Sequence, residues 1–116
     1  MAESEGRLNI ETRQDGDVVV VVVRGSAGMS EAETMRTELE KLAGSHAPLI
    51  VLDLSGMDFI CSAGLAAIIC AHLRSRHHRG KIKLVNPQPA VRELLETTQL
   101  TKLFPIYADI DQAVAV

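Results

Sequence analysis

Ser62 follows Cys61 and precedes Ala63-Gly64-Leu65, at the point where an apolar run gives way to helical spacing. A hydroxyl at a helix start lies among backbone N–H groups without intrahelical partners, at the positive end of the helix dipole. Two uses follow for such a serine. It can cap the helix, or it can carry a phosphate, since a helix N-terminus is a favourable anion site. The thiol of Cys61 adds a third chemistry, because a cysteine near a helix N-terminus can have a lowered pKa and act as a nucleophile. No base with an orienting partner accompanies it in the sequence, so a small Cys61-dependent enzyme ranks behind a non-catalytic role.

The remaining candidate groups point to less. His46, His72, His77 and His78 do not form a metal-ligand spacing. His77 and His78 would lie about 100° apart on a helix, and no metal or cofactor is expected. Cys61 and Cys70 are nine positions apart across a helix start, which is unfavourable for a disulfide and suits a reducing cytoplasm. The run Arg74-Ser75-Arg76-His77-His78-Arg79-Gly80-Lys81 is basic. It reads as the favoured cationic end of a helix, or as a contact for an acidic partner or a phosphate backbone. There is no glycine-rich phosphate loop of Walker or dinucleotide type.

These groups need a scaffold, and the hydrophobic pattern supplies one. Leu8 to Thr12 reads as an edge strand and Asp15-Gly16-Asp17 as a turn. The six valines from Val18 to Val23 are apolar on both faces and belong in the middle of a sheet. Gly25-Ser26-Ala27-Gly28 is expected to be a flexible loop. Ser30 and Glu33 have the spacing of a capping box, opening a helix with Ala32, Met35, Leu39 and Leu42 on its buried stripe and Gly44 after its end. Leu49 to Leu54 is a buried strand that Ser55-Gly56 should break. Leu65, Ile68, Ile69 and Leu73 then mark a helix from near Ser62 to near Gly80. Ile82 to Val85 is a strand, and Pro87 and Pro89 flank a helix carrying Val91, Leu94, Leu95 and Thr98. Leu100, Leu103 and Phe104 form a hydrophobic tuck, Ile106-Tyr107 a short strand, and Asp109 caps a final helix. Strand and helix alternate after the first hairpin, which is the order of an α/β sheet.

At 116 residues and 47% hydrophobic, the chain reads as a single domain over residues 1–116, with residues 1–6 expected to be flexible. Aromatics are only 3%, so the core is aliphatic and no stacking platform for single-stranded bases is available. A net charge of −3 does not favour nucleic acid or anionic membrane. The valine strand is far too short to span a bilayer.

Asp53-Leu54-Ser55, Met57-Asp58-Phe59-Ile60 and Ser62-Ala63-Gly64-Leu65 together resemble the signature of the small bacterial STAS domains that act as anti-sigma factor antagonists. The resemblance continues through Gly80-Lys81-Ile82-Lys83-Leu84-Val85 and Val91 to Phe104, nearly the whole chain. It implies a mixed central β-sheet of about five strands with helices packed mainly on one side. It also implies partner switching. The unphosphorylated form binds an anti-sigma factor serine kinase and frees a sigma factor, the kinase phosphorylates the serine matching Ser62, and a serine phosphatase reverses this. On that reading the protein is a cytoplasmic substrate and binder, a monomer or weak dimer, and not an enzyme. The partner surface is expected at Gly28, Met29, Met57, Asp58, Phe59, Ile60, Cys61, Ser62, Ala63 and Gly64, because both segments follow neighbouring central strands. The chain departs from the family pattern at Cys61, Ser26 and Gly28, where acids are usual, so the pocket should be less acidic and phosphorylation slow. The alternative is a STAS scaffold or transporter-associated subunit that binds a partner without phosphorylation.

Overall fold

The computed structural model describes residues 8–45 and 47–115. The N-terminal hexapeptide and His46 therefore lie outside the described residues. In chain order the elements are β1 (Leu8–Asp15), β2 (Val18–Ala27), α1 (Met29–Ala43), β3 (Leu49–Ile60), α2 (Ser62–Arg76) and β4 (Lys81–Val85). They are followed by α3 (Pro89–Thr97), a 3-10 turn (Leu100–Lys102), β5 (Ile106–Tyr107) and α4 (Ile110–Val114).

The strands form one five-stranded sheet in sequential order. β1 and β2 are antiparallel, joined by a tight turn in which Gly16 takes a positive φ of 63°. β2, β3, β4 and β5 are parallel, and each parallel pair is connected through a helix, as a crossover requires. One face carries the main core: Val19, Val21 and Val23, Ile50, Leu52 and Leu54, and Ile82 and Leu84 meet residues of α1, α2 and α3. On the opposite face Val20, Val51 and Val85 meet Ala113 of α4. The sheet is mixed, with helices mainly on one side, as expected from the sequence.

Several elements differ from the sequence expectation. β2 runs on to Ala27, so Gly25 to Gly28 is not a flexible loop. β3 continues through Ser55-Gly56 to Ile60. It does so with two bulges: β3 gains one residue on β2 between the pairs Val22–Asp53 and Arg24–Gly56, and another between Gly25–Met57 and Ser26–Phe59. α1 begins at Met29 with Gly28 as its N-cap, and Glu31, not Glu33, reaches back to the Gly28 N–H at 3.2 Å. Glu33 pairs with Arg36 instead. Gly44 is the C-cap of α1 in right-handed conformation. Leu73 is 55% exposed and Leu103 is exposed as well. The buried arc of α2 is Gly64, Leu65, Ala67, Ile68, Ala71 and Ser75. Small residues let α2 sit close to its neighbours, so the large Leu73 was a misleading guide to its inner face. Both cysteines are free.

Half-buried His72 on α2 packs edge-on against the fully buried Phe104, with ring centroids 5.0 Å apart. Burial, and then the nearby Arg76 charge, push its pKa below the ordinary histidine value. The unfolded chain therefore takes up a proton before the folded one. This contribution to stability is whole above about pH 6.5, the unfolded value. It is lost as pH falls from there through the lowered folded pKa. Urea midpoints should drop between pH 7.5 and 5.5, and His72→Leu should flatten that drop. An unchanged pH slope in the variant would remove His72 as the cause.

Candidate functional site

The end of the β2–β3 ladder builds the site. The pairs Ser26–Phe59 and Ala27–Ile60 close the register, and the Cys61 N–H donates to the Ala27 carbonyl at 2.9 Å. Each strand then turns directly into a helix: Gly28 is the N-cap of α1 and Cys61 the N-cap of α2. The first turns of the two helices are thereby held side by side. The segments at Gly28-Met29, Met57 to Ile60 and Cys61 to Gly64 meet in one region, as their placement after adjacent strands predicts.

Within that region the residues divide by exposure. Met29 is 72% exposed and Phe59 52% exposed, while Asp58 and Ser62 are also at the surface. Gly28, Cys61 and Ala63 are half-buried. Met57 and Ile60 are core residues, and Gly64 is buried beneath the first turn of α2. These three shape the patch from below and are not available as contacts. The bulges are the reason. Leu52, Leu54, Met57 and Ile60 all face the main core at spacings of two, three and three. Strict alternation would have turned Asp58 inward and Met57 outward. The extra residue at Asp58 instead leaves Asp58 and Phe59 both outside, a common use of bulges near functional sites.

Ser62 is the first residue of α2 and not its cap. The cap position is Cys61, in extended conformation, and it makes no side-chain cap hydrogen bond. The first intrahelical bond runs from the Leu65 N–H to the Cys61 carbonyl at 3.0 Å. The N–H groups ahead of Leu65 lie before that ladder begins, with the exposed Ser62 hydroxyl beside them.

The pocket also retains carboxylates. Asp58 accepts a hydrogen bond from the Ser26 hydroxyl at 2.6 Å, and Glu31 sits over the Gly28 N–H. Two of the three positions that lack acids, Ser26 and Gly28, are thus hydrogen-bonded to acids, while Cys61 is not. Asp53 is occupied structurally, accepting from the Ser55 N–H at 3.0 Å and its hydroxyl at 2.8 Å. One feature went unseen in the sequence: a groove of about 330 Å³ between Phe59 and α3, lined also by Asp58, Val91, Glu93, Leu94 and Thr97. α3 lies some thirty residues downstream, and only the fold brings it to Phe59. The outward-facing phenylalanine beside an acid was the available signal.

A family model of the STAS domain matches residues 9–113. The chain belongs to the STAS domain family. It is 27% identical over 101 residues to the anti-sigma F factor antagonist of Paenibacillus polymyxa, covering 86% of each chain. The crystal structure of an anti-sigma factor antagonist from Mycobacterium paratuberculosis superposes with a TM-score of 0.86 at 26% identity, over 95% of this chain and 93% of that one. The Bacillus cell fate determinant SpoIIAA in its phosphorylated form shares the fold, with a TM-score of 0.73 at 17% identity over 92% and 97% of the two chains.

Two stability outcomes follow for this STAS domain. A Cβ at Gly64 would lie 2.7 Å from Ile60 Cγ1, a branch atom close to the main chain that cannot swing away. Gly64→Ala should therefore destabilise by about 1–3 kcal/mol through overpacking, and a urea midpoint equal to wild type would show that the first turn is loosely seated. Ser62→Ala removes no cap bond, so it should change stability by less than about 0.5 kcal/mol, below the usual cost of losing a cap. A calorimetric loss well above that would return Ser62 to a capping role.

Proposed function

We propose that this STAS domain is an anti-sigma factor antagonist that works by partner switching, with Ser62 as its phosphorylated residue. The observation that carries this reading is the exposed Ser62 hydroxyl at the first position of α2, beside the exposed Phe59 and Met29. The antagonist names of its relatives support the same role.

In the unphosphorylated state Met29 and Phe59 offer adaptable and aromatic contact area to an anti-sigma factor serine kinase. The kinase supplies ATP. Ser62 Oγ forms a bond to the γ-phosphorus, the bond from that phosphorus to the β–γ bridging oxygen breaks, and ADP leaves. The hydroxyl proton passes to a base, and this chain holds the carboxylates of Asp58 and Glu31 at the patch. The phosphoserine then adds about −1.5 to −2 charges. Inside the domain that charge is tolerated, because it sits at a helix N-terminus. At the interface it must be desolvated near Asp58, which disfavours the complex. The fold stays intact while the binding surface changes, and a serine phosphatase resets the cycle. An ATP-dependent exchange of this kind belongs in the cytoplasm. Consistent with it, no described helix is long and apolar enough to cross a membrane.

The test pairs the chain with its cognate kinase and ATP, maps phosphate by mass spectrometry and titrates the variants. Phosphate should appear on Ser62, slowly, with Cys61 in place of an acid. Ser62→Ala should bind the kinase as wild type does and accept no phosphate. Ser62→Asp should bind more weakly, though less weakly than the phosphoserine, as it has one charge and fewer acceptor oxygens. Phosphate at another residue would overturn the assignment. Binding with no phosphate at all would assign a non-switching scaffold.

A further inference from the structure

The groove between Phe59 and α3 has an apolar floor. Ile60 and Val91 are buried there, and Leu94 is half-buried beside them. On the α3 side Ala90, Glu93, Leu94 and Thr97 share one helix face, at i, i+3, i+4 and i+7. Phe59 stands on the other side. The chain has only two phenylalanines, and the second, Phe104, is fully buried in the core. Phe59 is instead half-exposed, held outside by the β3 bulge. Contiguous apolar surface rimmed by polar groups is typical of protein contact sites.

The charge of the groove is one-sided. Asp58 and Glu93 line it, and no lysine or arginine does. Neither acid makes an ion pair with a described residue, and Asp58 is held by the neutral Ser26 hydroxyl. Glu93 lies past the first turn of α3, where the helix dipole gives an acid no advantage. Its neighbours one turn away, Pro89, Ala90, Glu96 and Thr97, include no cation. The adjacent Arg92 is turned to Glu96. A lysine or arginine from outside would satisfy the whole groove. Its stem would cover the apolar floor, and its head would meet the carboxylates and the Phe59 ring. A volume of about 330 Å³ holds a few side chains of a partner and not the body of a helix.

We propose, on the partner-switching reading, that this groove is a selectivity contact for the anti-sigma factor kinase, taking from it a lysine or arginine flanked by an aliphatic residue. Asp58 and Phe59 belong to the patch around Ser62, so the groove carries that surface on to α3 without a break. Ser62 sets when the complex forms. The groove sets which kinase fits, because one with an acid at this place would meet two carboxylates.

The test is titration of the full chain with its cognate kinase, without ATP, at near-physiological salt. Glu93→Lys should weaken binding at least about tenfold. Thr97→Arg, one turn from Glu93, would supply the missing cation from within and should weaken binding at least about fivefold. Glu96→Lys, the same charge change outside the groove, should stay within about threefold of wild type. All three positions are exposed, so melting temperatures should match wild type. A photo-crosslinking residue in place of Ala90 should attach to a kinase segment with a lysine or arginine beside an aliphatic residue. Exchanging that cation for glutamate should restore binding to Glu93→Lys. Groove variants that bind as wild type, while Ser62→Asp still weakens binding, would overturn this contact and leave the switch standing. A crosslink to an acidic segment, or a charge exchange that restores nothing, would also overturn it. A wild-type chain that does not bind the kinase would overturn both readings.

Discussion

Everything at the candidate site hangs on the parallel pairing of β2 with β3 and on its two bulges. The ladder is held through Ala27 and Ile60, and the Cys61 N–H adds a last bond to the Ala27 carbonyl. Because the strands end level, the helices that follow start level. A ladder without the extra residues would shift everything beyond Asp53 relative to the core. Asp58 would then point into an aliphatic interior, where an unpaired carboxylate is strongly disfavoured. The bulges thus satisfy two demands together: Met57 and Ile60 stay in the core, and Asp58 and Phe59 stay outside.

The seating of α2 is the second constraint. Gly64, Ala67, Ala71 and Ser75 make most of its inner face, with Leu65 and Ile68 as the large anchors. Close approach by small residues fixes the depth and rotation of the helix more tightly than a face of long flexible side chains would. Ile60 occupies the space that a Gly64 side chain would need. The first turn of α2, and Ser62 with it, is therefore held against the end of β3 by packing. In the proposed switch, phosphorylation of Ser62 would change the surface charge without changing this platform.

The two ends of α2 also differ electrically. Its N-terminus has no side-chain cap and no acid in the first turn, so the dipole there is uncompensated. Its C-terminus carries Arg74 and Arg76 and leads into Arg79, Lys81 and Lys83. Both ends favour negative charge for different reasons: one through backbone N–H groups, the other through side-chain cations. A phosphoryl group on Ser62 would need no rearrangement of the domain.

The kind of sheet, the order of its elements and the location of Ser62 at a helix start were legible in the residues alone. Val18 to Val23 is apolar at every position, which only a strand covered on both faces accommodates, and it is indeed second of the five strands. Asp109 was legible as a cap because that signal is local, and its side chain accepts from the Gln112 N–H at 2.8 Å. What lay beyond local signals was decided by tertiary structure. Ser55-Gly56 resembles a break, yet pairing with β2 carries the strand through it. Ser30 and Glu33 match a capping box, yet the reach of β2 to Ala27 moves the cap to Gly28. Met57 resembles an exposed contact and is buried, and Leu73 resembles a core residue and is exposed. The groove at Phe59 joins residues distant in the chain, so no local pattern encodes it. Periodicity reports which residues could share a face; only register and packing decide which of them do.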